Sequence, residues 1–344
     1  MSTLDAKLPL ESREEKMLRF LASGWIFLLL IGLIAIFAIL RPQQFASSYN
    51  LQQLTINAAI ILVLSIGQTY VVISNGIDLS VGSVLVFCSV VSAQVMLILS
   101  GEPGTTFGTT SAGWGVVLLG TVAAIFTGIV WGVLNGFLVA VAKIPALIVT
   151  LGTMGMALGG AQILSGGTDV RAMPELLVAH VGSGRILGIP VLVLIAAVTV
   201  IIAGLVLHLT RFGLHTYATG SNMEGARRSG INVVRQTIAV FVVSGAMAGI
   251  AAVMANARFA TTTINGHAMD NLTTISAVVL GGTSLFGGLG SVFGTVVGVF
   301  IPIILLNGFV ILGIPPFWQT VAMGAVLILA VWIDQLKRRL RKRG

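Results

Sequence analysis

The sequence predicts an all-α membrane protein that crosses the bilayer with about ten helices. Hydrophobic residues make up 56% of the chain and charged residues only 9%, and the mean hydropathy is +1.03. About a quarter of the residues in a soluble domain are charged, so this chain has too few charges to cover a water-facing surface. Lys and Arg also gather at the two ends and in one internal loop, as in the cytoplasmic segments of membrane proteins.

Ten segments contain the roughly 20 apolar residues that a helix needs to cross a bilayer. They are residues 19–40, 55–74, 81–100, 114–142, 147–166, 189–209, 237–257, 271–286, 290–311 and 317–334. The first has no charged residue between Phe20 and Leu40, which strongly favours its insertion. The eighth is short and rich in Thr, Ser and Gly, so we expect either a full helix or a broken, re-entrant segment.

The positions of the basic residues predict the orientation of these spans. Arg13, Lys16 and Arg19 precede the first span, and six of the last eight residues are basic. Both ends are therefore expected in the cytoplasm, which requires an even number of crossings. The basic loop 210–236 then falls inside together with Lys143. The nearly neutral loops fall outside, and they are 101–113, 167–188 and 258–270.

This orientation divides the chain into three parts. A cytoplasmic N-terminal segment covers 1–18, one transmembrane domain covers 19–335, and a basic cytoplasmic tail covers 336–344. The tail directly follows a span, so it is expected to anchor the topology and not to bind nucleic acid.

Two groups of four spans are expected to run in opposite directions. Spans two to five begin outside and spans seven to ten begin inside, which is the pattern of an inverted repeat. The sequence similarity between the two groups is loose, since only IVTLGT (Ile148–Thr153) and VVLGGT (Val278–Thr283) match.

Glycine recurs every four residues within several spans. The positions are Gly128, Gly132 and Gly136; Gly155 and Gly159; Gly245 and Gly249; and Gly290, Gly294 and Gly298. This spacing places each set on one helix face, where the missing side chains let two backbones approach closely. We therefore predict helix packing at these faces.

Several kinds of site are excluded by the residue pattern. Cys88 is the single cysteine, so disulfide frameworks and cysteine-based metal sites are ruled out. The four histidines lack metal-ligand spacing, and no G-x-x-x-x-G-K-[ST] motif is present, so the chain cannot bind ATP through a P-loop. Ionisable residues are nearly absent from the spans, whereas proton-driven transporters need them along the pathway. We therefore expect no catalytic, metal or cofactor site on this chain and an external source of energy.

Asp78 lies in a polar break, NGIDLS, between two spans. It can cap free amide groups at the start of the next helix, or it can line a solute pathway, and both interpretations remain open. Polar side chains elsewhere in the spans suit a small, polar, uncharged solute. The candidate pathway residues are Asn75, Asp78, Asn135, Thr150, Asn271 and Thr273.

The loop 210–236 is the largest polar interruption of the apolar region. The loop contains four arginines, Arg211, Arg227, Arg228 and Arg235, and a single acid, Glu224. The residues around 224–228 tolerate a helix, which Gly230 can end. A short helix at the membrane surface can dock into a groove of a soluble partner. We interpret that partner as an ATPase subunit.

Four motifs in this order carry a resemblance to a known family. They are GIDLSVGS (Gly76–Ser83), IPALIVTLGTM (Ile144–Met154), GSNMEGARRSGINV (Gly220–Val233) and ISAVVLGGTSLFGGLGSVFGT (Ile275–Thr295). With them the chain resembles, from about residue 45 to 335, the permease subunits of bacterial ABC importers for monosaccharides. The resemblance implies an inner-membrane permease that works with a second permease copy, identical or different. It also implies ATPase subunits that bind ATP and Mg, and a periplasmic or lipid-anchored sugar-binding protein.

The resemblance also implies coupling residues, because the loop matches the region of the family that contacts the ATPase. They are Gly220, Asn222, Glu224, Ala226, Arg227, Arg228, Ser229 and Gly230. One departure concerns the outer end: family members commonly carry Glu-Leu-Asp where this chain has Asn271-Leu272-Thr273. That change leaves the transporter class intact and adds polyols and modified sugars to pentoses and hexoses as candidate solutes.

Two other functions are compatible with the same composition. A sibling ABC permease for branched-chain amino acids shares the architecture, although GIDLSVG is the sugar form of the motif. A proton- or sodium-coupled secondary transporter belongs to a different class, and its transport would survive ATP depletion.

Overall fold

The computed structural model describes residues 13–267 and 270–341. Residues 1–12 and 342–344, which belong to the expected cytoplasmic ends, lie outside the described part. The long helices are α1 (Arg13–Leu40), α3 (Ser48–Ile73), α4 (Val81–Leu99), α5 (Trp114–Ala140), α6 (Ala146–Ser165), α7 (Val191–Leu209), α10 (Val233–Phe259), α12 (Val292–Ile311) and α13 (Pro316–Arg341). The shorter helices are α2 (Pro42–Phe45), α8 (Arg211–Ser221), α9 (Met223–Arg228) and α11 (Asp270–Leu280). The strands are β1 (Phe107–Thr110), β2 (Arg171–Pro174), β3 (Arg185–Ile186) and β4 (Ile189–Pro190), and a π-helix covers Leu177–Gly182.

Seven helices of the described residues are long and apolar enough to cross a membrane, namely α3, α4, α5, α6, α7, α10 and α12. The apolar parts of α1 and α13, Ile26–Leu40 and Pro316–Trp332, are shorter. The expected class, a helical multi-pass membrane protein, is therefore confirmed. Each of the ten segments chosen from the sequence contains a helix.

The eighth expected span is not one full-length helix. Its helix, α11, has 11 residues, and it is therefore about 16 Å long, roughly half the thickness of the hydrocarbon core. The helix ends at Leu280 because two glycines follow, of which Gly282 has φ +87°, a conformation that side chains other than glycine rarely adopt. The remainder of the expected span belongs to a loop of residues 281–290.

The helix contact between α5 and α10 is made directly by their backbones. A Cβ atom on Gly128 would overlap the carbonyl oxygen of Gly245, and a Cβ on Gly249 would lie 2.6 Å from the carbonyl oxygen of Ala124. The glycine spacing predicted this close packing. For Gly155 and Gly159 on α6 the same expectation is wrong within one chain, because no heavy atom lies within 4 Å of the Cβ position.

Helix α3 lies at the centre of the bundle and is buried along most of its length. The Tyr70 hydroxyl donates to the carbonyl oxygen of Ala203 on α7 at 2.5 Å, and the hydroxyls of Thr69 and Thr295 on α12 bond to each other at 2.6 Å. Buried hydroxyls in a bilayer need such partners, since no water is there to replace them. The end of α3 therefore has a well-defined position relative to α7 and α12.

The three loops expected outside contact one another. Strands β1 and β2 pair in parallel, which joins loop 101–113 to loop 167–188. The Thr262 amide donates to the carbonyl oxygen of Val170 at 3.0 Å, and the Ile264 amide donates to Asp169 Oδ1 at 2.9 Å, which joins the loop 258–270. The expectation that these loops share one end of the molecule is met.

Candidate translocation and coupling sites

Helix α3 ends at Ile73, and α4 begins at Val81. The residues between them, 74–80, form a buried polar connection that we call the α3–α4 loop. Asn75 turns the chain out of α3 with φ +66°. The side-chain amide of Gln68, in the orientation that satisfies both partners, donates to the carbonyl oxygen of Asp78 at 3.1 Å and accepts from its amide at 3.3 Å. The loop is thereby held against α3.

Asp78 is 3% exposed. Its Oδ1 accepts hydrogen bonds from the amide of Ser80 at 2.9 Å and from the Ser80 hydroxyl at 2.6 Å. Its Oδ2 accepts from the Ser244 hydroxyl on α10 at 2.9 Å. Asp78 thus satisfies the Ser80 amide at the start of α4, although the N-cap residue of α4 is Ser80 and not Asp78. Within the described part of the chain, no basic side chain forms an ion pair with this carboxylate.

Three more candidate pathway residues converge on the α3–α4 loop from different helices. Asn135 on α5 donates to the Ser80 hydroxyl at 2.9 Å. Thr150 on α6 donates to the carbonyl oxygen of Ile77 at 3.2 Å, and Asn271 on α11 donates to that of Leu79 at 3.4 Å. Side chains chosen from four separate segments of the sequence therefore surround one loop.

The other two candidate residues differ in burial. Asn75 is exposed at the end of α3, and Thr273 is buried within α11. The side-chain oxygen of Asn135, Oδ1, is buried, and no donor among the described residues forms a hydrogen bond with it.

A narrow gap beside Asp78 and Asn135, too small to hold a water molecule, is also lined by residues that were not selected for the pathway from the sequence, among them Ser80, Trp131 and Ser244. Ser244 directly precedes Gly245, whose missing side chain brings α10 against α5. The position of the Ser244 hydroxyl beside a glycine of a helix-packing face was the feature of the sequence that could have indicated a buried polar contact. Its partner, however, could not be read from the sequence because Asp78 is 166 residues away.

The loop 210–236 folds into two helices, of which only the second was expected. The Asn222 side chain caps α9 by accepting from the Gly225 amide at 2.9 Å. Gly230, with φ +86°, turns the chain away from α9 as expected. The unexpected helix, α8, is joined to α10 by Gln236, whose amide donates to the Thr216 hydroxyl at 2.8 Å.

The eight expected coupling residues divide into two groups. Gly220 and Ala226 are buried against the permease itself. Six are exposed, and they are Asn222, Glu224, Arg227, Arg228, Ser229 and Gly230. Glu224 pairs with Arg227 at 3.5 Å and with Arg228 at 3.2 Å. Exposed ion pairs of this kind contribute little to the stability of the fold. Both guanidinium groups can therefore exchange Glu224 for an acid of a partner.

Helix α8 packs against the end of α3. A Cβ on Gly220 would overlap the carbonyl oxygen of Ile73, and that same oxygen accepts from the amide of Gly288 at 2.8 Å. The Tyr217 hydroxyl donates to the carbonyl oxygen of Gly290 at 2.7 Å. The surface that carries α9 therefore contacts α3 five residues before Asp78.

Among the described residues, no group of three or more His, Cys, Asp or Glu side chains could hold a metal ion. The chemistry that the geometry offers is hydrogen bonding in a buried polar loop. A basic, exposed helix, α9, follows α8, and α8 contacts the end of α3 at the start of that loop.

Residues 50–331 match the family model described as the branched-chain amino acid transport system / permease component. The ribose import permease protein RbsC of Escherichia coli strain K12 is 33% identical over 331 residues, which cover 93% of this chain and 97% of the relative. The xylose transport system permease protein XylH of Haemophilus influenzae is 32% identical over 92% of this chain and 96% of the relative. The D-allose transport system permease protein AlsC of Escherichia coli K12 is 31% identical over 95% and 96%.

No solved structure matches the chain. The family model covers the transmembrane bundle from α3 to α13, and the matches to the relatives extend over nearly the whole length of both proteins. The chain therefore belongs to the family of branched-chain amino acid transport system permease components, within which its relatives are sugar permeases of ABC importers.

Proposed function

We propose that this chain is the membrane-spanning subunit of an ABC importer that carries a monosaccharide, or a similar small polar solute such as a polyol, across the bacterial inner membrane. The observation that carries this proposal is the similarity of nearly the full chain to permeases named for ribose, xylose and allose. ATP hydrolysis belongs to a separate ATPase subunit, and this chain binds no cofactor itself.

The proposed topology has ten crossings with both ends in the cytoplasm. Helix α11 makes the eighth, and the loop 281–290 follows at its cytoplasmic end. Helices α3–α6 and α10–α13 form the two halves of an inverted repeat. The packing partners support the repeat: α4 contacts α5 and α6 as α11 contacts α12 and α13. Likewise, α3 contacts α11 and α12 as α10 contacts α4 and α5. Halves related in this way can rock against each other, which provides alternating access.

The proposed pathway runs past the α3–α4 loop. A sugar that leaves water needs hydrogen-bonding partners for each hydroxyl group, because a buried polar group without one costs free energy. Asp78, Asn135 and Thr150 supply acceptors and donors at this level of the bundle. Asn271 approaches it from α11, which also carries Thr273, and Asn75 lies at its cytoplasmic end.

The proposed partners contact opposite ends of the molecule. The ATPase docks on α9, and the sugar-binding protein docks on loops 167–188 and 258–270. The second permease copy, which we propose to be identical, packs on α6. The open glycine positions Gly152, Gly155 and Gly159 support this site, because helix faces of this kind favour close association of helices in membranes.

The test is uptake by the reconstituted importer. The chain, its ATPase and its binding protein are placed in proteoliposomes, and labelled pentoses, hexoses, polyols and leucine are offered in turn. We expect ATP-dependent uptake of one or more of the sugars or polyols, and no hydrolysis by the permease alone. Uptake of leucine only would favour the sibling function. Uptake that persists without ATP and collapses with an uncoupler would replace the proposal with a secondary transporter.

A further inference from the structure

We propose that the loop 281–290, which we call the glycine loop, forms a second docking surface for the ATPase beside α9. This inference rests on the proposed function, because it assumes that an ATPase docks at the end of the molecule that carries α9. The sequence suggested only the loop 210–236 for that contact.

The glycine loop lies directly against α8, the helix that leads into α9. The hydrogen bonds from Gly288 to Ile73 and from Tyr217 to Gly290 hold its two sides. A Cβ on Gly287 would lie 2.6 Å from the carbonyl oxygen of Gly220. The glycine loop and the helix pair α8–α9 are therefore one continuous surface at the same end of the molecule.

The glycine loop has a defined shape. Gly282, Gly287 and Gly288 have φ values of +87°, +78° and +74°, which glycine alone adopts readily. The amide of Ser284 donates to the carbonyl oxygen of Leu289 at 3.0 Å, which closes the turn. A turn held in this way presents its side chains in fixed positions, as a docking surface requires.

The proposed interface with the ATPase also needs more surface area than α9 can supply. A stable protein–protein interface covers about 800 Å² and roughly 20–30 residues on each partner. Helix α9 has six residues and is about 9 Å long, so it supplies only a part of that area. An ATPase that covers α9 must therefore extend over neighbouring surface, and the glycine loop adjoins α8.

The chemistry of this surface fits the same partner. Leu289 of the glycine loop is 48% exposed and Met223, the first residue of α9, is 47% exposed. Arg227 and Arg228 stand on the same short helix. Apolar side chains beside cations match a soluble protein that offers a mixed apolar and acidic groove. This combination is why we choose an ATPase, and not lipid, as the occupant.

A second docking surface would change how motion enters the bundle. The glycine loop connects the end of α11 to the start of α12, where the Ser291 hydroxyl caps α12 by accepting from the Gly294 amide at 3.0 Å. Movement of the ATPase would therefore reach α11 and α12 through this loop, in addition to α3 through α8.

Site-specific cross-linking tests the inference directly. Cys88 is the only cysteine, so Cys88→Ala gives a background in which Leu289→Cys, Arg227→Cys or Leu187→Cys provides a single thiol. Leu187 is 97% exposed on the loop 167–188 and serves as the matched control. Each thiol is labelled with a photoactivatable maleimide in membranes that contain the complete importer, and adducts are identified by mass spectrometry.

We expect an adduct with the P-loop-bearing subunit from positions 289 and 227 and none from 187. An adduct from 227 without one from 289, or a 289 adduct with lipid only, would overturn the second docking surface and leave the proposed function standing. The absence of an adduct from both positions would overturn the docking of the ATPase on α9 as well.

A substitution gives an independent readout. Leu289→Asp removes apolar area from the interface and adds an acid opposite an acidic partner. We expect the apparent affinity for the ATPase to fall about three- to tenfold, with an unchanged melting temperature of the permease alone because Leu289 is half exposed. Leu187→Asp should leave the affinity unchanged. Equal affinities of the Leu289→Asp variant and the wild type would contradict the inference.

Discussion

The hydrogen bonds of Asp78 predict that two substitutions at this position differ widely in stability. Asp78→Ala removes the acceptor of three donors, the Ser80 amide and the hydroxyls of Ser80 and Ser244. The Ser80 amide would be left as a buried donor without an acceptor, which costs about 1–3 kcal/mol. Each hydroxyl hydrogen bond that is lost costs about 0.5–1.5 kcal/mol. Because both hydroxyls can rotate toward other acceptors, we expect a total loss of about 2–4 kcal/mol.

Asp78→Asn keeps one oxygen to accept from the Ser80 amide, and its amide nitrogen can donate to the Ser244 hydroxyl. We therefore expect this variant to lose less than about 1 kcal/mol. The assay is unfolding of the purified permease in mixed micelles with increasing SDS, followed by tryptophan fluorescence. Ser47→Ala is the control, since Ser47 caps α3 near the surface by accepting from the Asn50 amide at 3.2 Å. Loss of this cap should lower the stability by about 1 kcal/mol.

The same pair of variants separates the two roles of Asp78. If the carboxylate also lines the pathway, as we propose, Asp78→Asn should lower sugar uptake several-fold at nearly unchanged stability, because an amide nitrogen cannot accept from a solute hydroxyl. Normal uptake by this variant would restrict Asp78 to its hydrogen bonds with Ser80 and Ser244. An Asp78→Ala variant as stable as the wild type would refute the reasoning from its hydrogen bonds.

Two further predictions concern helix packing and coupling. Gly245→Ala should destabilise the bundle by about 1–3 kcal/mol through overpacking against α5, whereas Gly155→Ala should not change the stability of the isolated chain. Unfolding in SDS measures both losses, and equal losses would contradict the packing argument. Gly230→Val places a β-branched residue at φ +86°, and Glu224→Lys reverses the only acid of the loop 210–236. Both should reduce uptake per ATP hydrolysed while membrane insertion and affinity for the binding protein stay unchanged, and normal coupling in both would remove the coupling role from this loop.

Much of the architecture could be predicted because burial in a bilayer acts on each segment separately. A run of apolar residues such as 19–40 inserts whatever its neighbours are, and the charges of a loop bias its side without reference to other loops. The helix α9 was predictable for a similar reason, since its cap, charges and terminating Gly230 are all local. The glycine spacing on α5 and α10 likewise predicted a close contact, although not which faces would meet.

The sequence left open whether the eighth segment is a full helix or a broken one, and it did not predict helix α8, because hydropathy does not distinguish a helix from a turn of the same composition. The segment 271–286 is apolar enough to be buried throughout, yet the positive φ of Gly282 ends its helix at Leu280. Helix α8 is polar on average, and it is held in place by contacts with α3 and α10 that lie far away in the sequence.

The sequence by itself determined that the chain inserts in a membrane, which loops share an end, and where a basic helix stands. Only the tertiary structure decided that Asp78, Asn135, Thr150 and Asn271 meet at one loop, and that the glycine loop adjoins α8. The physical reason is range: insertion and capping depend on neighbours within a few residues, whereas a hydrogen bond such as Ser244 to Asp78 joins residues 166 positions apart and exists only once the helices have packed.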